Sequence, residues 1–191
     1  MRTRTACLAV SIVVGVVAGV RAEPKPIDTD RSTVTVFAYK SGLFSAFAHD
    51  HVISAPIDDG SVSEEAPLSV QVAFRAASLK VLDPTLDVKR RPEVQTRMLG
   101  KDVLDAATYP DITFASTAVE AAGADRWKVT GRLTIRGQTR TVTFDTLRQG
   151  GQYRGSVLVK QRDFGIEPIS IGGGTVKVKD EIKIQFDIAV R

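Results

Sequence analysis

Period two dominates the chain. Lys128 to Arg136 sets Lys128, Thr130, Arg132, Thr134 and Arg136 on one side of an extended backbone and Val129, Gly131, Leu133 and Ile135 on the other. Near the C-terminus Ile182, Ile184, Phe186, Ile188 and Val190 alternate with Lys183, Gln185, Asp187, Ala189 and Arg191. Such strands have one wet face and one buried face. The same pattern predicts strands over Val34 to Tyr39, Phe44 to Ile53, Val70 to Arg75, Ile112 to Val119, Thr139 to Leu147 and Tyr153 to Gln161, with turns such as Arg136-Gly137-Gln138 and Gln149-Gly150-Gly151 between them. About eight such strands predict an all-β chain, an eight-stranded antiparallel sheet closed into a barrel, because closure removes exposed edges. A barrel is favoured over a sandwich.

One segment leaves this period. Arg91 to Gly100 places Pro92 at a first helical position, Val94, Met98 and Leu99 on one side, and Gly100 at the end, which predicts a short helix over one mouth or one seam of the barrel. Inward parity falls on Phe74, Ile112, Phe114, Leu133, Ile135, Val142, Phe144, Val157, Val159, Ile184 and Phe186, since partners such as Arg75, Thr113, Arg132, Thr143 and Asp187 must stay in water. A barrel of this size either packs such residues solid or encloses one small ligand, and the pattern leaves both open.

The first residues change the charge argument. Arg2 and Arg4 precede an uncharged run from Thr5 to Val20, which reads as a secretory signal over residues 1–22 with cleavage after Ala22. An uncleaved anchor is the alternative. The expected location is periplasmic or secreted. Removing Arg2, Arg4 and Arg21 from 26 basic residues leaves 23 against 22 acidic ones, a balance of +1 that gives no support for nucleic acid as a partner. Cys7, the sole cysteine, leaves with the signal, so residues 23–191 form one domain without thiols or disulfides.

The two histidines lie together in Phe47-Ala48-His49-Asp50-His51-Val52. On a strand, His49 and His51 share a face and Asp50 takes the other. Three readings stand: structural hydrogen bonding, a polar or pH-sensitive spot in a ligand cavity, and ligation of a metal or haem iron. A closed metal site would need further ligands, and Asp28, Asp58 and Glu64 show no spacing that singles them out. No serine or cysteine nucleophile stands in a recognisable arrangement with either histidine, so no enzyme is expected. Asp163-Phe164-Gly165 lacks every other kinase feature. Gly172-Gly173-Gly174 with Lys177 and Lys179 reads first as an inter-strand loop and second as a phosphate cradle; Lys89-Arg90-Arg91 reads first as a solvated cluster and second as a contact for anionic lipid head groups.

Three segments carry a family resemblance. Residues 102–116, ending Leu104-Asp105-Ala106-Ala107-Thr108-Tyr109-Pro110-Asp111-Ile112-Thr113-Phe114-Ala115-Ser116, then Gly131-Arg132-Leu133-Thr134-Ile135-Arg136-Gly137, then Arg162-Asp163-Phe164-Gly165-Ile166, resemble in order and spacing the YceI-like family of secreted lipid-binding proteins. The resemblance implies a lipocalin-like eight-stranded barrel with a helix beside it. It also implies an elongated apolar cavity for a polyisoprenoid or similar long-chain lipid, so the eleven inward residues become candidate lining. Where many members open the first strand with His-Ser, this chain has Arg31-Ser32. The expected function is non-enzymatic binding, storage or transport of a long-chain isoprenoid or quinone-like lipid in the cell envelope, with that lipid as bound ligand and no other cofactor. Transient membrane contact and a homodimer are further options. The alternatives are a metal- or redox-linked binding protein using His49 and His51, and a filled barrel that binds a protein partner.

Overall fold

Strand alternation produces one curled antiparallel sheet. A computed structural model describes residues 23–41, 50–84, 86–171 and 176–191. Within them lie strands β1 (Lys25–Pro26), β2 (Thr33–Ser41), β3 (His51–Ser54), β4 (Asp59–Ser63), β5 (Ser69–Arg75), β6 (Lys80–Val81), β7 (Asp111–Ala121), β8 (Arg126–Ile135), β9 (Gln138–Gln149), β10 (Gln152–Lys160), β11 (Ser170–Ile171) and β12 (Val176–Ala189), and one helix, α1 (Arg91–Leu99). Neighbours follow the order β1-β4-β5-β7-β8-β9-β10-β12-β2-β3-β6, with β11 on β12. Past β1 the sheet returns on itself, for Ile27 bridges Val190 and the Asp28 N–H donates to the Ala189 carbonyl at 2.9 Å. The result is a lipocalin-like barrel of the all-β class.

The strand count differs from the expected eight for local reasons. β1, β6 and β11 are two-residue pieces. β4 was not predicted because Asp59-Gly60-Ser61-Val62-Ser63 offers one large apolar side chain, Val62, and therefore no alternation to read. β12 begins at Val176 rather than Ile182, and its register against β2 shifts between Val178 and Ile182, where Asp180-Glu181 interrupts the apolar parity. Of the strand expected over Phe44 to Ile53, β3 is the described part; Phe44 to His49 lie outside the described residues, as do the signal segment and Gly172 to Gly174.

The helix forms where it was expected and sits on a seam. Gln95 accepts the Val81 N–H at 2.8 Å and donates to the Leu79 carbonyl at 2.7 Å, so α1 covers β6, the last strand of the sheet. Covering an edge in this way protects it from pairing with another chain. Beyond the helix, the family-like segments converge. Gly137, at φ +69°, lies so close to the Tyr109 ring that a Cβ there would sit 2.9 Å from Cε1. Arg136 donates to the carbonyls of Gly165 and, at 2.8 Å, Lys101. Phe164, 1 % exposed, packs in the same cluster as Ile135, Leu104 and Met98. These motifs fasten one end of the barrel.

Candidate ligand cavity

The barrel is hollow. A cavity of ≈ 790 Å³ runs from α1 to the β4–β5 hairpin. Its openness follows from glycine placement on the inner wall. Phe114 (β7), Phe144 (β9) and Phe186 (β12) stand on alternate strands, with ring centroids 5.5 Å and 5.2 Å apart. Gly131 of β8 and Gly155 of β10 lie between them, and a Cβ on either would come 2.4 Å from Phe114 Cζ or 2.5 Å from Phe186 Cζ. The rings therefore lie down over bare backbone instead of standing into the lumen.

Of the eleven residues assigned inward by parity, ten line this cavity; Val159, 6 % exposed, is buried in the packed cluster with Ile135 and Phe164 and is not part of the lining. Most of the remaining wall is apolar, and charge is confined to the ends.

At the α1 end the described lining includes Lys40, His51, Arg90, Glu93, Arg97 and Lys177. His51 both lines the cavity and holds the fold: its Nδ1 is 2.7 Å from Oδ2 of Asp83, a fully buried carboxylate whose Oδ1 accepts the Val52 N–H at 2.7 Å. That bond uses one ring nitrogen and joins β3 to the segment after β6. His49 lies outside the described residues. Among the described residues no group of three His, Cys, Asp or Glu side chains is placed to hold a metal ion.

At the opposite end a second polar group stands on the cavity wall. Trp127, Thr146, Arg148 and Tyr153 all face inward; register sets Trp127 opposite Thr146 and Arg148 opposite Tyr153. The Tyr153 hydroxyl donates to Glu64, the first residue beyond β4, and Lys25 donates to the same carboxylate. Arg148 lies 3.7 Å from Glu64 and 5.5 Å over the Tyr153 ring, which meets Trp127 edge-on at 5.6 Å. Hydrogen bonds from Lys25 and then Tyr153 hold the Glu64 carboxyl below its usual range. Burial, followed by the bond to Glu64, pushes the Tyr153 phenol up to about 12.

Sequence reading passed over this cluster, although a signal existed: Thr146 and Arg148 continue the inward parity of Val142 and Phe144, and Tyr153 continues that of Val157. Polar side chains near the end of a strand ordinarily face water, which hides that signal. Glu64 had no alternating strand to place it.

Comparison with known proteins agrees with this architecture. The model of the YceI-like domain matches residues 26–190. A UPF0312 protein of Pseudomonas savastanoi pv. phaseolicola is 34% identical over 98 residues, 46% of this chain and 49% of that one. Another, from Azotobacter vinelandii, is 32% identical over 120 residues, 57% of this chain and 60% of that one. The chain thus spans about half the length of these curated relatives. Among solved structures, Burkholderia cenocepacia BcnA superposes with a TM-score of 0.60 at 26% identity, over 85% of this chain and 98% of that one. A mutant of the Campylobacter jejuni YceI protein gives 0.52 at 20% identity over 73% and 81%, a likeness of fold. With the family model covering nearly all of the described barrel, this chain belongs to the YceI-like family.

Proposed function

We propose that the protein is a non-catalytic carrier of a long-chain isoprenoid lipid, held in the barrel cavity and handled in the cell envelope. The observation that carries this reading is the Phe114–Gly131–Phe144–Gly155–Phe186 wall, which keeps ≈ 790 Å³ open and leaves it apolar along its length. That volume falls within the roughly 300–1,000 Å³ of small-molecule sites. A buried apolar chain gains about 25 cal/mol per Å² removed from water, so a long hydrocarbon is retained without ionic contacts along its tail. The signal-like N-terminus motivates the envelope location. Mass spectrometry of organic extracts from natively purified protein tests the proposal: an isoprenoid chain in stoichiometric amount is the expected result, and its repeated absence overturns it.

A further inference from the structure

We propose that the cluster of Glu64, Thr146, Arg148, Tyr153 and Trp127 is a head-group subsite for an uncharged, oxygen-bearing lipid end, which fixes the direction in which the lipid lies. This rests on the carrier reading above and adds an orientation to it: polar end at the β4–β5 hairpin, hydrocarbon tail along the phenylalanine wall toward α1.

The leading observation is an unused hydroxyl. Thr146 is 7 % exposed, lines the cavity, and its Oγ1 meets no hydrogen-bond partner among the described residues. A buried polar atom left alone is a standing free-energy cost, and it calls for a partner the chain does not itself supply. Across the β9–β10 pair Thr146 faces Gly155, which has no side chain to reach it, and across β8–β9 it faces Trp127. Those neighbours offer a flat aromatic wall and no second hydroxyl.

Charge selects the class of head group. Glu64 is held as an anion by Lys25 and Tyr153, and it stands on the cavity wall. The Arg148 guanidinium is already turned toward it at 3.7 Å. A phosphate brought here meets the carboxylate before it meets an uncommitted cation, whereas an alcohol or carbonyl oxygen can bond to Thr146 without that repulsion. At the α1 end the described lining carries Lys40, Arg90, Arg97 and Lys177 against Glu93, a net positive balance, whereas at the hairpin end Glu64 and Arg148 offset each other. Uncharged oxygen therefore belongs at the hairpin end.

The test compares three probes sharing one isoprenoid skeleton, farnesol, farnesyl phosphate and the hydrocarbon farnesane, on the full chain freed of bound lipid. Wild type is expected to bind farnesol more tightly than farnesane and more tightly than farnesyl phosphate. Thr146→Val, which keeps the shape and removes the hydroxyl, should weaken farnesol roughly five- to tenfold and leave farnesane unchanged. Its ligand-free thermal midpoint should not fall, because the hydroxyl has no partner to lose. Glu64→Gln should improve farnesyl phosphate relative to farnesol by roughly fivefold. An unchanged farnesol-to-farnesane ratio in Thr146→Val, or a drop in its ligand-free stability, overturns the subsite while leaving the carrier reading intact. Failure of all three probes to bind wild type overturns both.

Discussion

At the α1 end the barrel is closed by packed rings and by side chains bonded to backbone carbonyls, whereas at the β4–β5 end polar side chains bond to one another across the wall. Phe164, Tyr109 against Gly137, Arg136 on two carbonyls and Gln95 on β6 make up the first end. Glu64, Tyr153, Arg148 and Lys25 make up the second. The first arrangement spends its hydrogen bonds on the chain's own backbone, which any barrel of this shape requires. The second leaves the Thr146 hydroxyl buried without a partner among the described residues, which folding alone does not require. The family-like segments run from the first end to the Phe114–Gly131 wall and stop short of the second, so a shared motif here reports a shared scaffold and says little about the ligand's polar end.

The contrast breaks most visibly in stability. Phe164→Ala removes a ring that is 1 % exposed, and is expected to cost about 3–5 kcal/mol and lower the thermal midpoint by on the order of 10 °C. Tyr153→Phe keeps its ring in place and loses one hydrogen bond, at a cost of about 1 kcal/mol. Calorimetry on the two variants checks the difference. Equal losses would mean that the hairpin end is as much a part of the folding core as the α1 end.

Between the ends, the hollow itself can be removed. Gly131→Ala places a Cβ 2.4 Å from Phe114 Cζ and 2.6 Å from the Ala115 carbonyl oxygen, so the ring must lift into the lumen and the β7–β8 pair must ease apart, at a cost in stability. Retained lipid per folded molecule should fall at least tenfold, because the displaced ring takes space from the ligand. Extraction and mass spectrometry read the loss directly. Full retention would show that the phenylalanine band is packing alone and that the ligand lies elsewhere in the cavity.

Legibility in the sequence followed the same division. Wherever large apolar and polar residues alternate, as from Val129 to Ile135 or Ile182 to Ile188, parity placed the side chains on their faces, and ten of eleven predicted inward residues reach the cavity. Val159 does not, because parity separates in from out but cannot separate a covered inner position from an open one. The head-group cluster was illegible for a different reason. Thr146, Arg148 and Tyr153 sit on inward positions, but polar residues near strand ends ordinarily face water, and Glu64 comes to them from 89 residues away in sequence relative to Tyr153. The two histidines are conspicuous in the sequence by rarity. Among them His51 bonds a buried Asp83 that no spacing rule links to it.

The smallest effect is also the most local. Tyr153 should show a phenolate transition centred at about 12 instead of the ordinary 10.0, obtained as the difference between the alkaline absorbance titrations of wild type and Tyr153→Phe. Burial raises it first, and the bond to Glu64 adds to that, so Glu64→Gln should move the midpoint part of the way back toward 10.0 without reaching it. The linkage has a definite sign. Because the folded phenol binds its proton more tightly than the unfolded one, its contribution to stability is complete below 10.0 and is lost as pH rises through about 12. Glu64 runs the other way: its carboxyl is depressed, so its contribution holds above the usual 4.5 and disappears as pH falls through the lower folded value. Denaturation midpoints of wild type and Tyr153→Phe should therefore converge as pH rises from about 10 toward 12. If they remain parallel across that window, the Tyr153–Glu64 bond is not formed in solution, and the hairpin end is an open rim rather than a built polar wall.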